Sequence, residues 1–235
     1  MNGFGDAFAQ ALHLVATLDA DLTEIAGLSL AVSLSATAAA CLIGMPLGAA
    51  LAVTRFPGRG TLSVAVSALM GLPPVVVGLG VYLLLSASGP LGPLGLLYTP
   101  AAMILAQTIL VTPIVAALTR ETVAELHAEL DETLRALHAD PAFRLGTLLR
   151  EGRFALTTAA LAGLGRALAE VGAVMIVGGN IAHATRVMTT AIALETSKGE
   201  LALALALGAV LMAMSLGVNG ALMALRARAE ARVHA

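Results

Sequence analysis

From Ile25 to Thr54 the chain carries no Asp, Glu, Lys or Arg. Such a run is long enough, at 1.5 Å per residue, to cross the roughly 30 Å hydrocarbon layer of a bilayer as a helix. A backbone in lipid must satisfy its own hydrogen bonds, so a chain built around such runs is held to helices or a closed barrel. Four further apolar runs follow. They predict an all-α polytopic membrane protein with spans at about Leu28–Val53, Ser63–Leu85, Ala101–Leu118, Ala155–Val177 and Leu201–Leu225. Only 12% of the 235 residues are charged, half the share usual in a soluble domain.

Punctuation within the runs predicts where the helices are disturbed. Pro46, between Gly44 and Gly48, predicts a bend near the inner end of the first span, and Pro113 an interruption of the third. The adjacent Pro73 and Pro74 cannot both sit in a straight helix. They predict a break inside the membrane, where irregular backbone survives only if protein covers it or it lines a cavity. Residues 1–27 are expected to form a short helix on the membrane surface, with Phe4, Phe8, Leu12, Val15 and Leu18 at helical steps and only acidic charges. No basic region followed by a short apolar core marks a removable signal, so insertion is expected to rely on the first span.

Ten arginines (Arg55, Arg59, Arg120, Arg135, Arg144, Arg150, Arg153, Arg226, Arg228 and Arg232) fall on one side of the predicted membrane. Arg186 and Lys198 fall on the other, and Arg166 lies within a span. Basic residues favour the cytoplasmic side, so the N-terminus is expected outside and the C-terminus, with the basic tail 226–235, inside. The loop 119–154 is then cytoplasmic. Its segment Arg120–Arg153 holds 12 of the 28 charged side chains. Val123, Leu126, Leu130, Leu134 and Leu137 form an apolar stripe in its first half. After a turn, Asp140 is placed to cap a second short helix, Pro141 fits its first turn, and Phe143, Leu145, Leu148 and Leu149 give it an apolar edge. The pattern suits a docking element and equally a solvated connection.

Inside the fourth span, Arg166 and Glu170 stand one helical turn apart, with Arg166 roughly 16 Å along from Ala155. A lone charge at that depth costs about 3 kcal/mol, so the two are expected to neutralise each other. They serve either as an internal ion pair that supports packing or as an electropositive step in an anion path. Cys41, the only cysteine, lies in an apolar run and is read as packing. No phosphate loop, zinc-protease helix or metal-ligand motif is present, so no catalytic or metal site is expected, nor nucleic-acid binding.

The loop ETLRALHADPAFRLGTLL between the third and fourth spans resembles the Glu-Ala-Ala loop of type I ABC importer permeases. Glu132 matches the glutamate, Thr133 and Leu134 replace the alanines, His138 stands at the glycine, and Leu149–Arg150 at the Leu-Pro. GMPLGAALAVTRFPGR, GLPPVVVGLGVYLLLS and GRALAEVGAVMIVGGN look like segments of the molybdate, sulfate and tungstate branch. GGNIAHATRVMTTAIALETSKGELALALALG is most similar to tungstate permeases. The resemblance covers about residues 28–225.

It implies a homodimer in a bacterial or archaeal cytoplasmic membrane, enclosing an oxyanion path, most similar to one for tungstate, with molybdate or sulfate as alternatives. It also implies a periplasmic oxyanion-binding protein outside and two ATP-binding cassette subunits inside. This chain would hold no cofactor, because ATP and magnesium belong to those subunits. Glu132, Leu137, His138, Ala139, Asp140, Pro141 and Phe143 would form or flank the coupling helix, and Pro73, Pro74, Arg166 and Glu170 would lie at the path. A left-handed turn stays open to His138 in place of the glycine, since His is among the residues enriched in that conformation. A self-contained secondary transporter or channel using Arg166 and Glu170 is the reading from another class, although such carriers usually show paired repeats.

Overall fold

The computed structural model describes residues 4–17 and 19–233, and all regular structure among them is helical. Residues 1–3 and Leu18 of the expected surface segment, and the last two of the tail, lie outside the described residues. The helices are α1 (Phe4–Ala16), α2 (Ala20–Val53), α3 (Arg59–Leu69), α4 (Pro74–Leu85), α5 (Pro100–Ala136), α6 (Pro141–Glu151), α7 (Arg153–Leu168), α8 (Gly172–Gly178), α9 (Met188–Lys198) and α10 (Leu201–Val233), with one 3₁₀ turn at Gly92–Leu94. Three stretches are long and apolar enough to cross a membrane: Ala20–Val53, Pro100–Leu134 and Leu201–Gly220. The sharply bent pairs α3–α4 and α7–α8, each taken as one span, bring the number to five.

The spans differ from expectation in instructive ways. The helix of the first span, α2, starts at Ala20, not Leu28, because the Asp19 carboxylate accepts hydrogen bonds from the Asp21 and Leu22 amides at 3.1 and 3.2 Å and so caps it early. Pro46 lies inside α2 without ending it, and Pro113, contrary to expectation, does not interrupt the third span, because α5 runs on through it. The polar stretch 119–136 is no separate helix. It continues the third span in one helix of 37 residues, roughly 55 Å long and far longer than a bilayer requires. The Pro73–Pro74 break is present, with Pro73 as the extended cap of α4 and Pro74 as its first residue. An unexpected break at Ala169–Val171 divides the fourth span. α10 runs on through Val233, so the last span and nearly all of the basic tail are one helix.

The chain forms two compact units. The first comprises residues 1–36, 73–107 and 165–220. Its core gathers Ala11 of α1, Leu22 and Ile25 of α2, Met188 and Ala191 of α9, and Ala206 and Leu207 of α10. Elsewhere in it α4 lies on α8 closely enough that a Cβ on Gly78 would stand 2.8 Å from the Ala173 Cα. On α1, Leu14 and Val15 pack inward whereas Phe8 and Leu12 are exposed. That two-sidedness suits a helix lying at an interface.

The second unit comprises residues 37–72, 108–164 and 221–235. In it Ala49 and Ala52 of α2 meet Val123 and Leu134 of α5 and Leu148 of α6. A second cluster joins Leu51, Val66, Ala116 and Ala117. The Arg59 guanidinium donates to the Leu51 and Ala52 carbonyls at 2.7 and 2.9 Å, giving partners to the end of α2 where its own helix offers none.

Candidate functional site

In the second unit, α5 ends at Ala136 and the chain reverses over four residues into α6. His138 makes the reversal possible by adopting φ 50°, the left-handed conformation that His tolerates better than most residues. Asp140 caps α6, its Oδ1 accepting from the Phe143 amide at 2.7 Å, and Pro141 occupies the first helical position. The Ala139 amide donates to the Leu134 carbonyl at 3.1 Å, while its own carbonyl accepts from Arg144 Nε at 2.9 Å. The turn is therefore tied at both ends.

The apolar edge of α6 divides. Leu148 is fully buried and Leu145 and Leu149 pack beside it, all against the chain's own α2 and α5. That edge is thus not free to enter a partner's groove. What remains outward is Leu137 at 68% exposure and Phe143 at 59%, with Glu132, His138, Asp140 and Pro141 also exposed. Phe143, Gly146, Thr147, Arg150, Glu151 and Arg153 border an open concavity beside them. A stiff, capped helix with a buried back and an exposed aromatic at its start can transmit a push from whatever grips it.

In the first unit, Arg166 in the last turn of α7 donates from Nη1 to Glu170 Oε2 at 2.5 Å. Glu170 is not on the same helix. It sits in the break with its side chain 2% exposed, and its other oxygen accepts from the Ala173 amide at 2.9 Å. One carboxylate thus neutralises the arginine and caps α8, and its two oxygens are shared between the two tasks. Further bonds hold the break. Gln107 Nε2 donates to the Ala167 carbonyl at 3.1 Å, and Thr189 Oγ1 donates to the Glu170 carbonyl at 2.7 Å. Ser29 Oγ accepts from the Met188 amide at 2.7 Å nearby. These residues surround a cavity of about 10 Å³, close to the least that holds one water. Gln107 Oε1 is buried with no protein partner.

Sequence reading missed Gln107, Thr189 and Ser29. The available signal was Gln107 itself, a lone amide in an apolar span, since such residues ordinarily reach across to another helix. Pro73 and Pro74 shape the start of α4, where the methyl of Val75 crowds Gly172: a Cβ there would stand 2.9 Å from Val75 Cγ2.

Asp21, Glu24 and His183, far apart in sequence, bring their ligand-type atoms within 4.8 Å of one another. All three are exposed, and Arg186 borders the same hollow. We read the group as a latch between α2 and the loop before α9. His183 Nδ1 lies 2.9 Å from Glu24 Oε2, and that hydrogen bond raises the imidazole pKa above 6.5, with Asp21 adding to the shift and Arg186 opposing it. A group whose pKa is raised by folding stabilises most below its unfolded value. The imidazolium's contribution to the latch is therefore fully present below about pH 6.5 and fades as pH rises through the higher folded value. In Glu24→Gln, histidine NMR should show His183 titrating nearer its ordinary position, and an unmoved titration would refute the latch.

No protein-family model matches the chain. It is 42% identical over 203 residues to a probable anion ABC transporter permease of Haloferax volcanii, covering 84% of this chain and 88% of that one. It is 38% identical over 226 residues to a tungstate uptake system permease of Peptoclostridium acidaminophilum, covering 96% and 99%. A molybdenum transport system permease of Azotobacter vinelandii is 31% identical over 163 residues, covering 64% and 70%. Likeness at that level, end to end, on a chain of three long apolar helices and two broken ones, settles membership: the chain belongs to the ABC-transporter permease family.

Proposed function

We propose that this chain is the membrane subunit of an ATP-driven importer of tungstate. The observation that carries this is the 38% identity to a tungstate uptake permease along 99% of that protein, against 31% along 70% of the molybdenum permease. The working assembly is two copies of this chain, two ATP-binding cassette subunits that hold the ATP and magnesium, and an oxyanion-binding protein at the outer face. The chain itself supplies no catalytic group. It lies in the cytoplasmic membrane with the N-terminus outside and the C-terminus inside, the sidedness that ten arginines against two basic residues favour.

Coupling runs through α6. The motor subunit grips Phe143 and Leu137 from outside, with Glu132, His138, Asp140 and Pro141 at the rim, while Leu148 and its neighbours carry the push into α2 and α5. Rocking of the spans then alternates access. Pro73, Pro74 and Arg166 border the anion path at the two broken spans, and Glu170 holds Arg166 in place. Irregular backbone at membrane depth fits such a lining.

Reconstitution tests this. In proteoliposomes with motor subunit and binding protein, tungstate uptake should require ATP and resist competition by sulfate. Phe143→Asp with Asp140→Ala should lower motor co-purification at least tenfold while leaving insertion intact. Uptake by this chain alone under a proton gradient would instead establish the secondary carrier. Unchanged co-purification would remove α6 from the coupling.

A further inference from the structure

Within the second unit, α2 and α7 lean apart over a groove of about 730 Å³. Its walls are Ala38, Cys41, Leu42, Met45 and Pro46 on one side, and Leu156 and Ala160 on the other, with Leu149 and Arg153 at one end. A Cβ on Gly163 would stand 3.9 Å from Thr37 Cγ2, so the two helices approach each other just beyond Ala38 and Ala160. The distance along α2 from Ala38 to Pro46 is roughly 12 Å.

We propose that this groove binds an anionic phospholipid, with one acyl chain along the apolar walls and the headgroup phosphate on Arg153. Three observations select that occupant. The lining offers almost nothing directional: Thr157 Oγ1 is already committed to the Arg153 carbonyl at 2.8 Å, and the remaining walls are aliphatic or sulfur-bearing. A flexible hydrocarbon chain asks for nothing more. Arg153, the one cation among the described lining residues, is exposed, its guanidinium over the Phe154 ring at 4.6 Å, with Nη1 donating to the Arg150 carbonyl at 3.3 Å and its other donors uncommitted among the described residues, and it borders the neighbouring concavity as well. That is the arrangement of an amphiphile's two ends, and the charge is complementary to a phosphate.

A second copy of the chain suits the groove less well. Close helix pairing in membranes uses small residues, and α2 has already turned its own small face, Gly44 and Gly48, against α5. The face toward the groove sets the bulkier Leu42 and Met45 beside Ala38 and Cys41, and Leu42 is 78% exposed. The basic side chain then fixes a lipid beside α6, because Leu149 belongs both to the groove and to the packing under α6.

The chain has no tryptophan, so one introduced indole reports on this groove alone. Leu42→Trp protein is reconstituted in vesicles containing bromine-labelled phosphatidylglycerol or phosphatidylcholine, and quenching is followed against mole fraction. Phosphatidylglycerol should quench the introduced indole at about fivefold lower mole fraction, the factor that one basic side chain near an anionic surface supplies. In Leu42→Trp with Arg153→Gln the ratio should fall to about one. Met212→Trp, on an exposed stretch of α10, should show a ratio of about one in both backgrounds. Where Leu42→Trp protein fails to accumulate, Ala38→Trp in the same wall gives the same readout. Equal quenching by the two lipids, a preference that survives Arg153→Gln, or an indole that neither lipid reaches would each overturn the proposal, the last because a second copy fills the groove.

Discussion

Replacing Arg166 by alanine should destabilise the protein by about 3 kcal/mol, and removing Glu170 as well should restore part of the loss. The reason lies in how the carboxylate is used. Glu170 is buried, with one oxygen on Arg166 and the other on the Ala173 amide. Without the arginine its charge remains enclosed with a single amide to answer it, and a buried ion left unpaired costs more than the pair contributes. Arg166 is about a third exposed and would rehydrate if the glutamate were removed, so Glu170→Ala costs mainly the cap of α8, about 1 kcal/mol. The double variant loses the cap but no longer holds a stranded charge. Thermal unfolding in detergent of the two single variants and the double variant checks this. A double variant as unstable as the sum of the singles would show that the two side chains act independently.

The sequence announced this pair but not its architecture. Arg166 and Glu170 at a spacing of four read as neighbours on one helix, and composition in that stretch gives no sign of an interruption. The break is produced by a tertiary event, a buried carboxylate turning to cap the next segment while Gln107 and Thr189 take up freed polar groups. Local propensity has no access to such partners. The break at Pro73–Pro74, by contrast, was legible because its cause is local: two rings, neither with an amide hydrogen, and a fixed φ.

The polar segment shows the same division. Its helical period, the Asp140 cap, the Pro141 start and the left-handed His138 all follow from side-chain chemistry within a few residues, and all are present. What the sequence concealed is the join between span and loop. The composition changes abruptly at Arg120, but the helix does not, because an amphipathic stripe can continue an apolar helix without any change of backbone. Amphipathicity also leaves open what covers the apolar side. Leu145, Leu148 and Leu149 cover α2 and α5 of their own chain, leaving Leu137 and Phe143 for a partner.

The most severe single change should be the smallest, Gly48→Ala. In the second unit Gly44 and Gly48, four apart on α2, bring its backbone against α5. A methyl on Gly44 would stand 2.9 Å from the Thr112 carbonyl oxygen. One on Gly48 would overlap the Ala116 carbonyl oxygen and stand 2.9 Å from Thr119 Cβ. The obstacle at Gly48 is backbone, which cannot rotate aside as the end of a side chain can, so the helices must separate. Separation then opens the packing of Ala49 and Ala52 on Val123, and of Leu51 on Ala116, a larger loss than ordinary overpacking at about 1–3 kcal/mol. Pro46 lies between the two glycines inside the same helix. Gly60→Ala is the control, since a Cβ there meets nothing within 4 Å and alanine is the better helix former. Folded yield and melting temperature in detergent should collapse for Gly48→Ala and hold or rise for Gly60→Ala. Equal behaviour of the two variants would mean that α2 and α5 do not meet backbone to backbone.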